Sequence, residues 1–280
     1  MRQRPVWVIA VSLGVGLAAV SSPAFAVPLV EQAGGANAAA IQGAVDAFRA
    51  DLGNPLNPNV AGSFPTGRRE INWDGVPNNL SAPNNLPPDF FNVNSPRGVV
   101  FSTPGTAVQV SGNAGVAPVR FDNVNPSYSS IFQTFSAQRL FTAIGSNIVD
   151  VNFFVPGSTT PATVSGFGSV FTDVNLSNTT SIQYFNANNT SLGTFFVPTA
   201  STGLSFLGVS GFGDEIARVR ITSGNTALGP SQVIEGSTDV VVMDDFLYGE
   251  PHAAVPEPSA LLLLGTGLGA LAWFRRKTRS

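Results

Sequence analysis

The acidic residues are the side chains of this sequence that offer the widest choice of chemistry. Two of them, Asp244 and Asp245, are adjacent within the apolar segment VVVMDDFLYGEP, and the sequence predicts a strand over Val240–Tyr248. Adjacent side chains of a strand point to opposite faces, so we expect one of the two carboxylates to face inward. A buried carboxylate is costly unless it is paired or bound to a metal ion. This pair is therefore the first candidate for a functional site.

Calcium is the metal ion that these oxygen ligands would suit. It binds about six to eight oxygen atoms at the ends of strands and in loops, and Asp173 and Asn175 end a second predicted strand. The sequence predicts a structural calcium ion held by Asp244 or Asp245 together with Asp173 or Asn175. The alternatives are a carboxylate paired with a buried arginine or with backbone amides, or a strand that ends at Met243. No EF-hand spacing is present.

The remaining residue types restrict any catalysis to carboxylate chemistry. The sequence has no cysteine and one histidine, His252, and the only lysine lies in the C-terminal tail. A serine or cysteine nucleophile with a histidine base is therefore excluded in the body of the protein. Glycoside hydrolysis needs two acids about 5–10 Å apart. The candidate acids, which nothing in the sequence pairs, are Glu70, Asp74, Asp214, Glu215, Asp244 and Asp245. We assign no catalytic residue and expect a protein that is not an enzyme, with a carbohydrate-active enzyme that uses paired carboxylates as the alternative.

Three aromatic residues are candidates for ligand binding. Trp73, Tyr184 and Tyr248 combine an apolar ring with a polar group, as aromatic platforms in sugar sites do. Packing of the same rings in a hydrophobic core is the competing interpretation.

The elements that would position these side chains are predicted to be mainly strands. One helix is indicated over Asn37–Leu52, where apolar residues recur at three- and four-residue steps before Gly53 and Pro55. An Asn- and Pro-rich stretch follows up to residue 97. From Gly98 onward, about ten short apolar segments alternate with turn residues, which is typical of an antiparallel β-sandwich. We predict a mainly β, jelly-roll-like antiparallel β-sandwich with an N-terminal helix and a C-terminal transmembrane helix.

The charge of the body excludes some partners. Between the terminal segments the chain has eight arginines and no lysine, whereas all 17 acidic residues precede the apolar C-terminal segment, so this part has nine more acidic than basic residues. Such a charge argues against nucleic acid as a partner.

Both ends of the chain have the features of targeting segments. Residues 1–26 begin with Arg2 and Arg4, continue with an apolar stretch and end in Ala-Phe-Ala, which is typical of a secretory signal peptide. At the other end, residues 259–274 have no charge and are followed by four basic residues. A helix of that length spans about 24 Å. The uncharged segment predicts a short membrane anchor. The basic residues after it predict a tip in the cytoplasm, so that the body lies outside the cytoplasmic membrane.

The final segment VPEPSALLLLGTGLGALAWFRRKTRS resembles a PEP-CTERM sorting signal, in which a Pro-Glu-Pro motif precedes a short transmembrane segment and an Arg-rich end. The resemblance implies that Pro256, Glu257 and Pro258 form the motif that an exosortase recognises. It also implies export in a Gram-negative bacterium and a place at the cell surface or in an extracellular, biofilm-type matrix. The alternative is an ordinary single-span anchor.

Two further expectations follow from resemblance. The body resembles an uncharacterised β-sandwich that accompanies this tail and, through short motifs such as SGFGSVFTDV, jelly-roll carbohydrate-binding modules. We therefore expect a non-enzymatic surface or matrix protein that binds extracellular polysaccharide, and whose C-terminal segment contacts the membrane before processing. A calcium-stabilised module that binds another protein is a third possibility. The predicted segments are a signal peptide (1–26), an N-terminal helix and Asn/Pro-rich segment (27–97), a β-sandwich domain (98–250), a linker with the Pro-Glu-Pro motif (251–258), a transmembrane segment (259–274) and a basic tail (275–280).

Overall fold

Alternation of buried and partly exposed side chains marks out several strands of this protein, most clearly Ile148–Phe153, Ser181–Phe185 and Arg218–Thr222. The computed structural model of the chain describes residues 27–112, 119–230 and 236–254. The predicted signal peptide, sorting motif and transmembrane segment lie outside these residues. Within them, no helix is long and apolar enough to cross a membrane.

The described residues form fourteen strands, three α-helices and one 3-10 helix, Asn78–Leu80. The strands are β1 (Leu29–Gly35), β2 (Arg68–Ile71), β3 (Val99–Ser102), β4 (Ala107–Val110), β5 (Phe141–Ile144), β6 (Ile148–Phe153), β7 (Ala162–Thr163), β8 (Gly166–Val174), β9 (Ser181–Phe185), β10 (Ser191–Phe196), β11 (Ala200–Ser210), β12 (Arg218–Thr222), β13 (Val242–Gly249) and β14 (His252–Ala253). The helices are α1 (Ala38–Leu52), α2 (Phe90–Val93) and α3 (Tyr128–Ile131).

The strands form two main antiparallel sheets. Sheet A has the order β1-β11-β8-β13-β5-β4, and β2 also pairs with β13. Sheet B has the order β10-β9-β12-β6-β3, and β14 pairs separately with β7. Side chains of both sheets, such as Phe167 and Phe246 of sheet A and Val151 and Val219 of sheet B, belong to one hydrophobic core. The prediction of a mainly β protein with antiparallel sheets is confirmed.

The two sheets differ in the burial pattern of their strands. In β6 and β12 every second residue is buried, and Asp150 on β6 forms ion pairs with Arg218 and Arg220 on the outer face of sheet B. In β8 and β13 every residue is buried. Sheet A is covered on both faces there, by sheet B on one side and by α1 with its adjoining loops on the other.

Helix α1 confirms the predicted helix almost residue for residue. Asn37 caps its N-terminus by accepting a hydrogen bond from the backbone of Ala40, and Gly53 ends it. The buried stripe of α1 contains Ile41, Val45 and Phe48 and packs on the outer face of sheet A. The helix therefore forms one wall above that sheet.

The segment predicted to precede the sandwich contributes to it. Strand β1 pairs with β11 over seven residues, and β2 pairs with β13. Sheet A thus extends across the boundary expected between residues 97 and 98. His252, which the sequence places in a linker, lies in β14 opposite Thr163.

Glycines on sheet A provide the space that Phe48 occupies. A Cβ atom on Gly208 would lie 2.6 Å from Cγ of Phe48, and one on Gly168 would lie 2.8 Å from its Cε1. Both distances are shorter than van der Waals contact, so α1 can lie this close only because these two residues have no side chain.

Replacing Gly208 with alanine should therefore weaken the docking of α1. We expect Gly208→Ala to lower the free energy of unfolding by about 1–3 kcal/mol, since overpacking must displace Phe48 or the helix. Gly43→Ala is the matched control, because Gly43 is exposed on α1 and a Cβ atom there would meet nothing within 4 Å. It should stabilise the protein by about 0.5–1 kcal/mol through helix propensity. Urea unfolding measures both, and equal effects of the two substitutions would contradict this account.

Candidate functional site

The adjacent acids Asp244 and Asp245 lie in a β-bulge. Along β13, Met243 faces Phe171 of β8 and Phe246 faces Ser169, so the two aspartates together oppose a single residue, Val170. The bulge interrupts the alternation of side chains. Both aspartates are buried, with relative exposures of 0% and 4%. The expectation that only one of them faces inward is therefore wrong, because it assumed a regular strand.

Both carboxyl groups reach the same serine. The hydroxyl of Ser136 lies 2.6 Å from Oδ1 of Asp245 and 3.4 Å from Oδ1 of Asp244. The backbone N–H of Phe135 donates to Oδ2 of Asp244 at 2.6 Å, and the Trp73 indole N–H donates to the Asp244 carbonyl at 2.9 Å. The pair thus fastens the loop around Ser136 to sheet A.

Burial and mutual proximity leave the pair protonated more readily than ordinary carboxylates. Burial raises the pKa of Asp244 well above its usual range, and the neighbouring Asp245 raises it further. Burial also raises the pKa of Asp245, while hydrogen bonds from Ser136 and from Asp244 oppose that rise. Of the two carboxyl groups, Asp244 therefore has the more strongly raised pKa.

Asp245 also lines a cleft of about 640 Å³ between α1, the loop after α1 and sheet A. Most of the lining side chains are amides or charged groups. They are Gln42, Arg49, Leu56, Asn57, Pro58, Asn59, Glu70, Asn72, Arg97, Phe135, Ser136 and Asp245.

Glu70 is the second carboxylate of the cleft, and arginines hold it in place. Arg49 donates from Nε and Nη2 to the two Glu70 oxygens at 3.0 and 2.8 Å, and Arg68 donates from Nε at 2.8 Å. Burial alone would raise the pKa of Glu70, but the hydrogen bonds from Arg49 and Arg68 outweigh it, so the pKa is lowered. Glu70 is therefore ionised.

The register of β2 against β13 places the two cleft acids on one face. Glu70 pairs with Leu247, and Asp245 lies two residues before Leu247 on the same strand. Diagonal neighbours of this kind are about 7–8 Å apart in an antiparallel sheet. The cleft thus combines an acid whose pKa is raised with one whose pKa is lowered.

A buried ion pair supports the wall of the cleft opposite α1. Arg69 and Glu250 have side-chain exposures of 0% and 1% and form two parallel hydrogen bonds of 2.7 and 2.8 Å. The other Arg69 donors bind the carbonyls of Pro58, Gly62 and Pro96. All five N–H donors of the guanidinium are therefore used, and the loops that carry Asn57, Asn59 and Arg97 are fixed relative to sheet A.

The four predicted metal ligands are not brought together. Asp173 accepts a hydrogen bond from the backbone of Thr202, and Asp239 accepts one from the backbone of Asn175. Asp244 and Asp245 bind the loop around Ser136 instead. Across residues 27–112, 119–230 and 236–254, no three His, Cys, Asp or Glu side chains are placed to hold a metal ion. Calcium binding stays a prediction.

The three predicted ligand-binding aromatics are core residues. Trp73 stacks on Phe141 with ring centroids 4.2 Å apart, and the hydroxyls of Tyr184 and Tyr248 donate to the carbonyls of Phe167 and Arg97. Trp73 is 1% exposed and the two tyrosines are fully buried. The prediction that they form a sugar platform is therefore wrong. Their polar groups are satisfied by backbone carbonyls, and this allows complete burial.

Several residues of the cleft carried no sequence signal. Gln42, Asn72, Arg97 and Ser136 come from four separate parts of the chain, and no local spacing links them. Among the predicted acids, Glu70 and Asp245 line the cleft. Asp214 and Glu215 lie in an exposed turn and do not.

Comparison with known proteins identifies the carboxyl end. The PEP-CTERM protein-sorting motif matches residues 254–277, which confirms the resemblance seen in the sequence. The chain therefore carries a PEP-CTERM sorting motif. That motif implies an exported protein with a C-terminal anchor that an exosortase processes for display at the cell surface.

The comparisons that cover the body are less informative. No curated protein matches the sequence. Among solved structures, the enzymatically active domain of tailspike protein 4 of Bacteriophage CBA120 is similar over 72% of this chain and 23% of that one, at 13% identity and a TM-score of 0.28. A likeness at this level supports no conclusion about fold or function.

Substitution of Asp244 tests whether its pKa is raised in the folded protein. A carboxyl group whose pKa is raised on folding stabilises the protein below its unfolded pKa near 4, and that contribution is lost as the pH rises through the folded pKa. Asn at position 244 mimics the protonated form. We expect Asp244→Asn to flatten the decline in stability between the unfolded pKa near 4 and neutral pH, and to stabilise the protein at neutral pH. Urea unfolding across this range measures the effect, with the exposed Asp214→Asn as the control. An unchanged pH slope would contradict the assignment.

Proposed function

We propose that this chain is a cell-surface or extracellular-matrix protein of a Gram-negative bacterium, delivered through an exosortase, whose body binds polysaccharide in the cleft between α1 and sheet A. The observation that carries the binding proposal is the lining of the cleft. Amide side chains offer both donors and acceptors, as a polyhydroxylated ligand requires. The volume of about 640 Å³ lies within the range of small-molecule sites and would hold a short saccharide segment.

The charged side chains of the cleft that bind one another suit a chain of hydroxyl groups. Arg49 and Glu70 are locked by one another, so their remaining hydrogen-bonding capacity points in set directions. Phe135 contributes an apolar ring to the lining. It takes the role that the sequence predicts for Trp73, Tyr184 and Tyr248.

The position of the sorting motif agrees with delivery of a folded body. His252 and Ala253 pair with β7, and the backbone N–H of Ala254 donates to the carbonyl of Pro161 at 3.1 Å. The match to the motif begins at the same residue, Ala254. The sandwich and the sorting motif are therefore contiguous in the sequence.

A carbohydrate-active enzyme is the second candidate, and a different observation favours it. Burial raises the pKa of Asp245, whereas hydrogen bonds from Arg49 and Arg68 lower the pKa of Glu70 in the same cleft. Two carboxyl groups whose environments push their pKa values apart are the usual arrangement for general acid and base. In this interpretation Asp245 protonates the leaving oxygen and Glu70 activates water.

Alanine substitution of the sorting motif tests delivery. We expect a chain in which Pro256, Glu257 and Pro258 are alanines to keep its C-terminal segment in the native host, because the exosortase no longer recognises it. Mass spectrometry of the exported protein identifies its C-terminus. Thr278→Ala, outside the matched residues, is the control. Identical processing of the two variants would refute the role of the motif.

Substitution at the rim of the cleft tests binding. We expect the double variant Gln42→Ala/Asn72→Ala to bind polysaccharide from the host matrix about tenfold more weakly, since it loses hydrogen bonds to hydroxyl groups. Affinity electrophoresis of the exported protein measures this, with Asn188→Ala in the distant β9–β10 turn as the control. Equal retardation of both variants would place binding elsewhere. Shortened saccharides that appear with the wild type but not with Asp245→Asn would favour the enzyme.

A further inference from the structure

Arg97 is a cleft arginine with no carboxylate partner in the described part of the chain. Of the eight arginines of the body, Arg49, Arg68, Arg69, Arg218 and Arg220 form ion pairs. Arg120 and Arg139 bind backbone carbonyls. The side chain of Arg97 makes one hydrogen bond, from Nη1 to the Ser95 hydroxyl at 2.6 Å, and its buried Nε has no partner.

The guanidinium of Arg97 is held in position despite this lack of pairing. It lies over the ring of Phe91, with its central carbon 5.1 Å from the ring centroid. The Arg97 backbone N–H donates to the carbonyl of Phe91, and its carbonyl accepts the hydroxyl of Tyr248. An arginine that is ordered without its own counter-ion is pre-organised for an external one.

The carboxylates of the cleft do not serve as that counter-ion. Glu70 is already bound by Arg49 and Arg68, and Asp245 accepts a hydrogen bond from Ser136. Burial lowers the pKa of Arg97, and the nearby Arg69 lowers it further, as expected for a cation that is partly removed from water without compensation.

We infer that Arg97 is an anion-binding subsite of the cleft, and that the saccharide bound there carries carboxylate groups, as a uronic acid unit does. This inference rests on the proposed polysaccharide binding and specifies its ligand class. A planar guanidinium matches the geometry of a carboxylate. Salt at physiological strength screens charges beyond about 8 Å, so the acidic residues distant from the cleft weaken such a contact only slightly.

The test compares one polymer in two forms. The exported wild-type protein is titrated with polygalacturonate and with the same polymer after its carboxyl groups are reduced to alcohols. We expect the acidic form to bind about 10- to 100-fold more tightly, the gain of a charge-assisted hydrogen bond. Arg97→Gln should abolish this preference, so that the variant binds the two forms equally. Arg220→Gln, on the outer face of sheet B, is the matched control and should retain the preference.

The outcomes separate this inference from the proposed function. Equal binding of both forms by the wild type would overturn the acidic-ligand inference and leave polysaccharide binding intact. No binding of either form would count against both. Unfolding of the ligand-free protein gives a second measure, because a partly buried cation without a partner should not stabilise the fold. Arg97→Gln should therefore unfold at the same or a higher urea concentration, and a clear loss of stability would assign Arg97 a structural role instead.

Discussion

The buried ion pair between Arg69 and Glu250 is the interaction on which the architecture around the cleft depends. Glu250 accepts from Asn57 and from the backbone of Phe64 as well as from Arg69, so both of its oxygens are satisfied. Removing two charges from water is costly, and a pair of this kind is tolerated only when every remaining donor and acceptor is used. Here Arg69 meets that condition by donating hydrogen bonds to three backbone carbonyls of loops that have little regular structure. An irregular, proline-rich stretch thereby becomes an ordered wall of the cleft.

Opposite that wall, the cleft is shaped by an irregularity in β13. A regular strand would send Asp244 and Asp245 to opposite faces, one into the core between the sheets. The bulge keeps both on the side of α1, where Ser136 and the backbone of Phe135 bind them. The same strand then brings Asp245 near Glu70. One extra residue in β13 therefore places two acids in the same cleft, one with a raised pKa and one with a lowered pKa.

Much of the fold could be predicted from local pattern. Helix α1 and strands β9 and β12 each bury one face. The apolar residues of that face recur with the period of the element, so the sequence of the segment alone predicts it. The sequence does not predict strand β1, because most of this strand is exposed at the edge of sheet A and shows little apolar periodicity. The sorting motif was recognised because it is a short linear signal. The cleft was not, because Gln42, Asn72 and Ser136 meet only through tertiary packing, and the burial of Trp73 depends on neighbours distant in sequence.

A C-terminal anchor, which the sorting motif implies, has a mechanical consequence. A protein held through residues beyond Ala254 receives any pull from its surroundings at that point. The two-residue pairing of β14 with β7 meets the load first and has little to resist it. The next residue toward the N-terminus with a strong contact is Glu250, which forms an ion pair with Arg69. Strand β13 precedes it and lies inside sheet A with hydrogen-bonded neighbours on both sides. Tension would therefore strip a short terminal peptide before it reached the parts of the body that shape the cleft.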